Sequence, residues 1–193
     1  MDIVTHYKGV PKIYFDTIIS NIIRIGNLET KNLILDYGCG EKRVQKKLKK
    51  KILNYDINPN YTDYNKIDNL HFKIVILNQV LMYLTLEEIY ELFKKFYSIN
   101  PKIEFIIGMG KQNLISKISA ILSFNPNAHA GTKISYSDQK KFINENFDII
   151  ASKENIFFMA DIFYVKFKKN LVISVPWSAF IILNFKIRIS AVF

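Results

Sequence analysis

Along this chain, short unbroken apolar runs alternate with stretches of helical spacing, and each change of period is marked by glycine, proline or a polar cluster. Val10 to Ile25 opens the series, with Ile13, Tyr14, Thr17, Ile18, Asn21, Ile22 and Ile25 on one face and Pro11 in the first turn. An amphipathic helix ending in a left-handed cap at Gly26 is expected there. Leu33, Ile34 and Leu35 then form the run that a buried parallel strand requires, broken by Asp36-Tyr37-Gly38-Cys39-Gly40. From Glu41 to about Lys50 the pattern is helical, anchored by Val44 and Leu48. Ile52 to Ile57 is a second strand, and Asn58 to Asn69 is polar and tyrosine-rich, with room for one short helix or strand at most.

His71 to Asn78 is the next buried strand. Thr85, with Glu88 three residues on, caps a helix whose buried face is Leu86, Ile89, Leu92, Phe93 and Phe96. Ile103 to Ile107 is a fourth strand stopping at Gly108-Met109-Gly110. A helix with Leu114, Ile115, Ile118 and Ile121, a loop from Asn125 to Gly131 and a short helix from Ser137 to Ile143 follow. Phe147 to Ala151 and Phe157 to Phe167 read as two strands joined through Ser152 to Asn155 as a hairpin. Strands that alternate with helices and finish in such a pair predict an α/β architecture: a mostly parallel sheet with an antiparallel C-terminal hairpin.

Composition changes this picture at three points. Nearly half of the 193 residues are hydrophobic and 23% are charged, which supports a sizeable core in one domain over residues 1–170. The single cysteine, Cys39, excludes an internal disulfide and a cysteine zinc cluster and suits a reducing cytoplasm. Residues 171–193 form a separate hydrophobic, basic tail: Leu171 to Phe185 is apolar except for Ser174, Ser178 and Asn184, and Lys186 and Arg188 follow. Interrupted by Pro176, it is shorter than the ~20 residues of a spanning helix, so peripheral contact with a membrane, core extension or oligomer burial is expected of it. Met1 to Ser20 lacks the apolar core of a secretory signal. The location expected is therefore cytoplasmic, and peripheral to the inner face of the membrane if the tail makes that contact.

The net charge of +10 admits a polyanion partner such as RNA or an anionic surface. The lysines are spread along the whole chain, however, as biased nucleotide composition would also produce, and the oligomeric state stays open.

Chemistry concentrates at the first glycine turn. A strand that ends in glycines and feeds a helix leaves backbone N–H groups free with no Cβ to hold a ligand away. Asp56 lies 18 residues past Gly38, at the end of the next strand, where nucleotide-binding folds place the carboxylate that receives ribose hydroxyls. The dinucleotide pattern G-x-G-x-x-G fails, since Arg43 holds the last position, and no P-loop is present.

Leu35-Asp36-Tyr37-Gly38-Cys39-Gly40, Asp56, and Asn78-Gln79-Val80-Leu81-Met82-Tyr83-Leu84 after a buried strand together resemble class I S-adenosylmethionine-dependent methyltransferases. The closest style is the small-molecule type 11 group, and the resemblance runs from roughly Tyr7 to Lys169. It implies a Rossmann-like, doubly wound sheet and S-adenosyl-L-methionine as cofactor. It further implies that Gly38, Cys39 and Gly40 pass under the methionine end, and that Asp36 positions the turn or meets the amino group. Asp56 would hold the ribose, Ile57 would cover the adenine, Asp63 would touch the adenine edge, and Asn78 and Gln79 would line the sulfonium side. Two departures accompany it. Lys42 replaces the family's usual third glycine, and the stretch between Asp56 and His71 is shorter than usual, leaving the adenine pocket partly open or rebuilt by Tyr61 or Tyr64.

On the acceptor side, His129 and Tyr83 are the catalytic candidates, His129 because family members place substrate contacts in that loop. For Tyr83 a core role is the other reading. His6 and Tyr7 belong to an N-terminal flap that often closes over the cofactor in this family, His71 reads as structural, and no metal site is expected. The acceptor implied is a small or a lipid- or glycan-linked molecule. RNA is the alternative, and so is a non-catalytic binding role on the same fold.

Overall fold

The computed structural model describes residues 10–111, 131–154 and 159–169. His129, His6, Tyr7, the Leu114–Ile121 helix and the tail from Leu171 lie outside them. Six strands form one sheet in the order β2-β1-β3-β4-β6-β5. β1 (Ile34–Tyr37), β2 (Leu53–Tyr55), β3 (Ile74–Asn78) and β4 (Glu104–Gly110) run parallel, and β6 (Ala160–Phe167) and β5 (Phe147–Glu154) return antiparallel. The expected mixed sheet with its C-terminal antiparallel pair is the one observed.

Two cores sandwich the sheet. One face packs on α1 (Val10–Ile25) and α2 (Arg43–Leu48) through Ile18, Ile22, Leu28, Val44, Ile76 and Ile162. The other packs on α3 (Leu86–Ile99) and α4 (Tyr136–Asn146) and is aromatic, with Phe93, Phe96, Phe105, Phe142, Phe147 and Phe167 meeting mostly edge to face. Each such buried ring stabilises the fold by roughly 1.5–3 kcal/mol through removal from water.

Several boundaries move for identifiable reasons. Gly26 is not the left-handed cap. Asn27 takes the positive φ of 47°, and Gly26 is required for space, since a Cβ there would lie 2.2 Å from Ile106 Cδ1. α2 shrinks to six residues because Lys42 and Lys49, both in the left-handed region, bracket it. β4 runs straight through Gly108 and Gly110, which pair with Ile162 and Ala160 of β6. β5 continues to Glu154, past the expected turn, and carries a bulge between Ile149 and Ala151.

No helix or strand forms between β2 and β3. That connector lays Ile67, Leu70 and Phe72 on the aromatic core, and Asp63 N–H donates to Asn54 O at 3.0 Å along the β2 edge. It covers the sheet opposite α2, where a doubly wound fold ordinarily places a helix.

Candidate functional site

The strand order reverses at β1, whose neighbours β2 and β3 connect away on opposite faces. In open α/β sheets the crevice beyond the carboxyl ends at such a point is where ligands bind. β1 delivers Asp36 and the glycine turn to it, β2 delivers Asp56, and β3 delivers Asn78 and Gln79.

The turn is pinned to β2: Gly38 and Cys39 N–H donate to Tyr55 O at 2.7 and 3.1 Å. Gly38 and Gly40 have φ of 77° and 48°, which side-chain-bearing residues adopt at a cost. The two glycines serve different ends. A Cβ on Gly38 would meet Val80 Cγ2 at 2.5 Å, whereas one on Gly40 would point into space with nothing within 4 Å. Gly40 N–H donates to Asp56 Oδ2 and Asn58 N–H to Asp56 Oδ1, both at 2.9 Å, so the carboxylate is oriented while each oxygen keeps a lone pair for another donor.

Asp36 is 2% exposed, in the middle of the sheet between Asn54 of β2 and Ile76 of β3. Burial, and then the Asp56 charge, push its carboxyl up to about 7. Cys39 donates to Tyr61 O at 3.5 Å, and burial first, then the Asp36 charge, push its thiol up to about 12, which makes it packing and not a nucleophile.

Lys42 accommodates the position of the missing third glycine by adopting φ 56°, ψ 40° itself. Its ammonium reaches Asp63 Oδ1 at 2.5 Å, and Asn54 Nδ2 donates to Asp63 Oδ2 at 2.8 Å. Those two bonds hold the Asp63 carboxyl below its usual value and occupy both oxygens. Ile57, by contrast, stands 94% exposed just past β2.

On the β3 side Gln79 has a φ of 57°, and its N–H donates to Gly108 O at 2.7 Å. A strained non-glycine residue at a crevice is a functional pointer. Asn78 Oδ1 is buried without a partner among the described residues, seated over Gly108, where a Cβ would come within 2.6 Å of it. Tyr14 of α1 was not singled out from sequence. It hydrogen-bonds Gln79 and also donates to Met159 O at 3.4 Å, and burial pushes its hydroxyl up to about 12. Its signal, one aromatic on an amphipathic face, is indistinguishable from core.

Tyr83 lies on the 3-10 turn Leu81–Tyr83 after β3, 42% exposed, its ring against Gly131. Burial raises its hydroxyl, so it would orient an acceptor as a donor instead of removing a proton. Lys133 N–H holds the returning chain to Met82 O at 2.8 Å, and Thr132 Oγ1 beside it is buried without a partner among the described residues. Lys111 pairs with Glu154 and, at 2.9 Å, with Asp161, to which Tyr136 also donates. These groups satisfy one another and close the β4–β6 side. His71 is exposed, outside the crevice. No group of three metal-ligating side chains occurs among the described residues.

The crevice therefore offers an open glycine floor, an oriented carboxylate at one end, a buried carboxyl beside it, an unpartnered amide oxygen and an exposed apolar lid residue. These features fit an adenosyl amino acid: hydroxyls for Asp56, an apolar base for Ile57, and a charged end near Asp36.

No protein-family model matches the chain, and no curated protein matches its sequence. Solved structures do match. The PH0226 protein from Pyrococcus horikoshii OT3 superposes with a TM-score of 0.60 at 11% identity, over 83% of this chain and 92% of that one. The small RNA methyltransferase HEN1 gives 0.59 at 10% identity, over 88% of this chain and 27% of that one. Magnesium protoporphyrin IX methyltransferase from Synechocystis PCC 6803, with bound SAH, gives 0.50 at 17% identity, over 78% and 81%. Identities this low speak to architecture, and the chain has the Rossmann-like α/β fold of the S-adenosylmethionine-dependent methyltransferases.

Proposed function

We propose that the protein is an S-adenosyl-L-methionine-dependent methyltransferase. The observation that carries this reading is the pairing of Gly40, whose Cβ position is open, with Asp56, whose carboxylate the Gly40 N–H aims from 2.9 Å. The cofactor would supply an electrophilic methyl group on sulfur. Asp56 would accept the ribose hydroxyls, Ile57 would cover the base, and Asp36 would meet the amino group. Asn78 and Gln79, the latter held by Tyr14, would bound the methyl-bearing side. Alignment supplies much of the rate in such an in-line displacement, so a strong base is not a requirement. The acceptor atom gains the methyl and gives its proton to solvent.

The acceptor would approach over Tyr83 and Gly131. A small or a lipid- or glycan-linked molecule suits this rim, and peripheral membrane contact through residues 171–193 would serve the latter. RNA is the second reading, favoured by a basic cleft beside α2.

Calorimetric titration with S-adenosylhomocysteine tests the cofactor assignment. The parent should bind, Asp56→Ala should lose on the order of tenfold or more in affinity through its lost charged hydrogen bonds, and Gly40→Ala should lose affinity with its fold intact. No binding by the parent, or equal binding by all three, removes it.

A further inference from the structure

The short connector leaves a cleft of about 700 Å³ along the free edge of β2, lined by Gln45, Lys46, Lys49, Lys50, Lys51, Asp63 and Tyr64. Lys50 is structural: its ammonium caps the carbonyls of Leu28, at 2.6 Å, and Lys31. Lys46, Lys49 and Lys51 are all exposed, and Lys51 acts on Asp63 through its charge. Asp63, the one acid in the lining, already holds Lys42 and Asn54. Lys49 takes a left-handed φ of 53° at the end of α2, and the chain turns there so that consecutive lysines line a single hollow. We propose that this cleft binds the phosphodiester backbone of a single-stranded RNA, with Tyr64 available to a base.

The lining favours a strand over a membrane, since it offers lysines and one tyrosine but no aliphatic side chain to enter a bilayer. Aromatic side chains beside a basic groove are the usual means of holding single strands without sequence preference. Distance favours a polymer: Tyr83 follows β3, two strand spacings or roughly 10 Å across the sheet from β2, and Lys49 to Lys51 enter β2 at the end away from the crevice, so only an extended acceptor could touch both this cleft and the rim at Tyr83. The purpose of the contact rests on the methyl-transfer reading, but the contact is measured independently of it.

The test is fluorescence anisotropy of the full chain with a labelled, unstructured oligouridylate across a salt series, beside vesicles containing phosphatidylserine and a parallel S-adenosylhomocysteine titration. The triple variant K46A/K49A/K51A should weaken RNA binding roughly tenfold or more at low salt. It should also flatten the log–log salt slope by about 2, at ~0.7 per single-strand phosphate contact. S-adenosylhomocysteine affinity should be unchanged, which certifies the fold. K94A/K140A/K141A, with the same loss of charge on α3 and α4, should change RNA binding little. The proposal is overturned if the parent does not bind RNA, if both triple variants lose equally, if neither does, or if the cleft variant loses vesicle binding alone. RNA binding without S-adenosylhomocysteine binding would sustain the cleft and remove the methyl-transfer reading.

Discussion

Asp36 is carried by β1 into the floor of the crevice, two positions before Gly38, where it is 2% exposed. An unfolded aspartate titrates near 3.9, while this one is raised to about 7 by burial and by Asp56. The folded state thus holds the proton more tightly. The stabilisation this provides is complete below about pH 4, declines as pH rises, and is gone above about pH 7, a change of up to about 4 kcal/mol. Asp36→Asn, which cannot titrate, should remove that slope, so melting temperatures of parent and variant should converge or cross between about pH 4 and about pH 7. Parallel curves would show that the group does not titrate in this range. The chemistry at this scale was partly legible. Asp36, Gly38, Gly40, Asp56 and Asn78 announce themselves by residue type at the ends of apolar runs, and the structure gathers them at one crevice. Tyr14 and Thr132 could not be read, because their significance lies in contacts between distant segments and not in any local pattern.

Elements were legible where two signals coincided. At α3, Thr85 accepts from Glu88 N–H at 3.2 Å while the Glu88 carboxylate accepts from Thr85 N–H at 2.7 Å, the reciprocal cap that the sequence signature implies. Glu88 also pairs with Lys133, tying this cap to the chain that packs on Tyr83. Thr85→Ala should therefore cost about 1 kcal/mol in urea unfolding, and no measurable change would show that the cap is redundant with that ion pair. α2 shows the converse. Composition suggested a longer helix, but backbone conformation at Lys42 and Lys49 sets its length, and lysine carries no sequence signal for a positive φ. The adjustment at Lys42 answers the missing third glycine: the left-handed bend survives with a side chain that ties the turn to Asp63.

At the scale of the molecule, the sheet order follows from alternating apolar runs and crossover handedness, so its class was readable from the chain. The absence of structure between β2 and β3 was legible only as shortness. What it creates, a three-residue edge strand beside a lysine-lined hollow, depends on how the connector lies across the sheet. The other edge, β5, is eight residues long and exposes Ile149 and Ile150 at 45% and 46%. An unbroken edge of that length would be a template on which another chain could add a strand, the first step toward aggregation. The bulge between Ile149 and Ala151 interrupts the regular spacing of N–H and C=O groups at the most apolar part of the strand, and Asp148 and Lys153 flank it with charge. Deleting Ile150 should straighten the edge and increase the fraction of high-mass species in light scattering at equal concentration, whereas an unchanged mass profile would argue against this. One extra residue thus breaks the regular edge, a safeguard against self-templating that owes nothing to the crevice at β1.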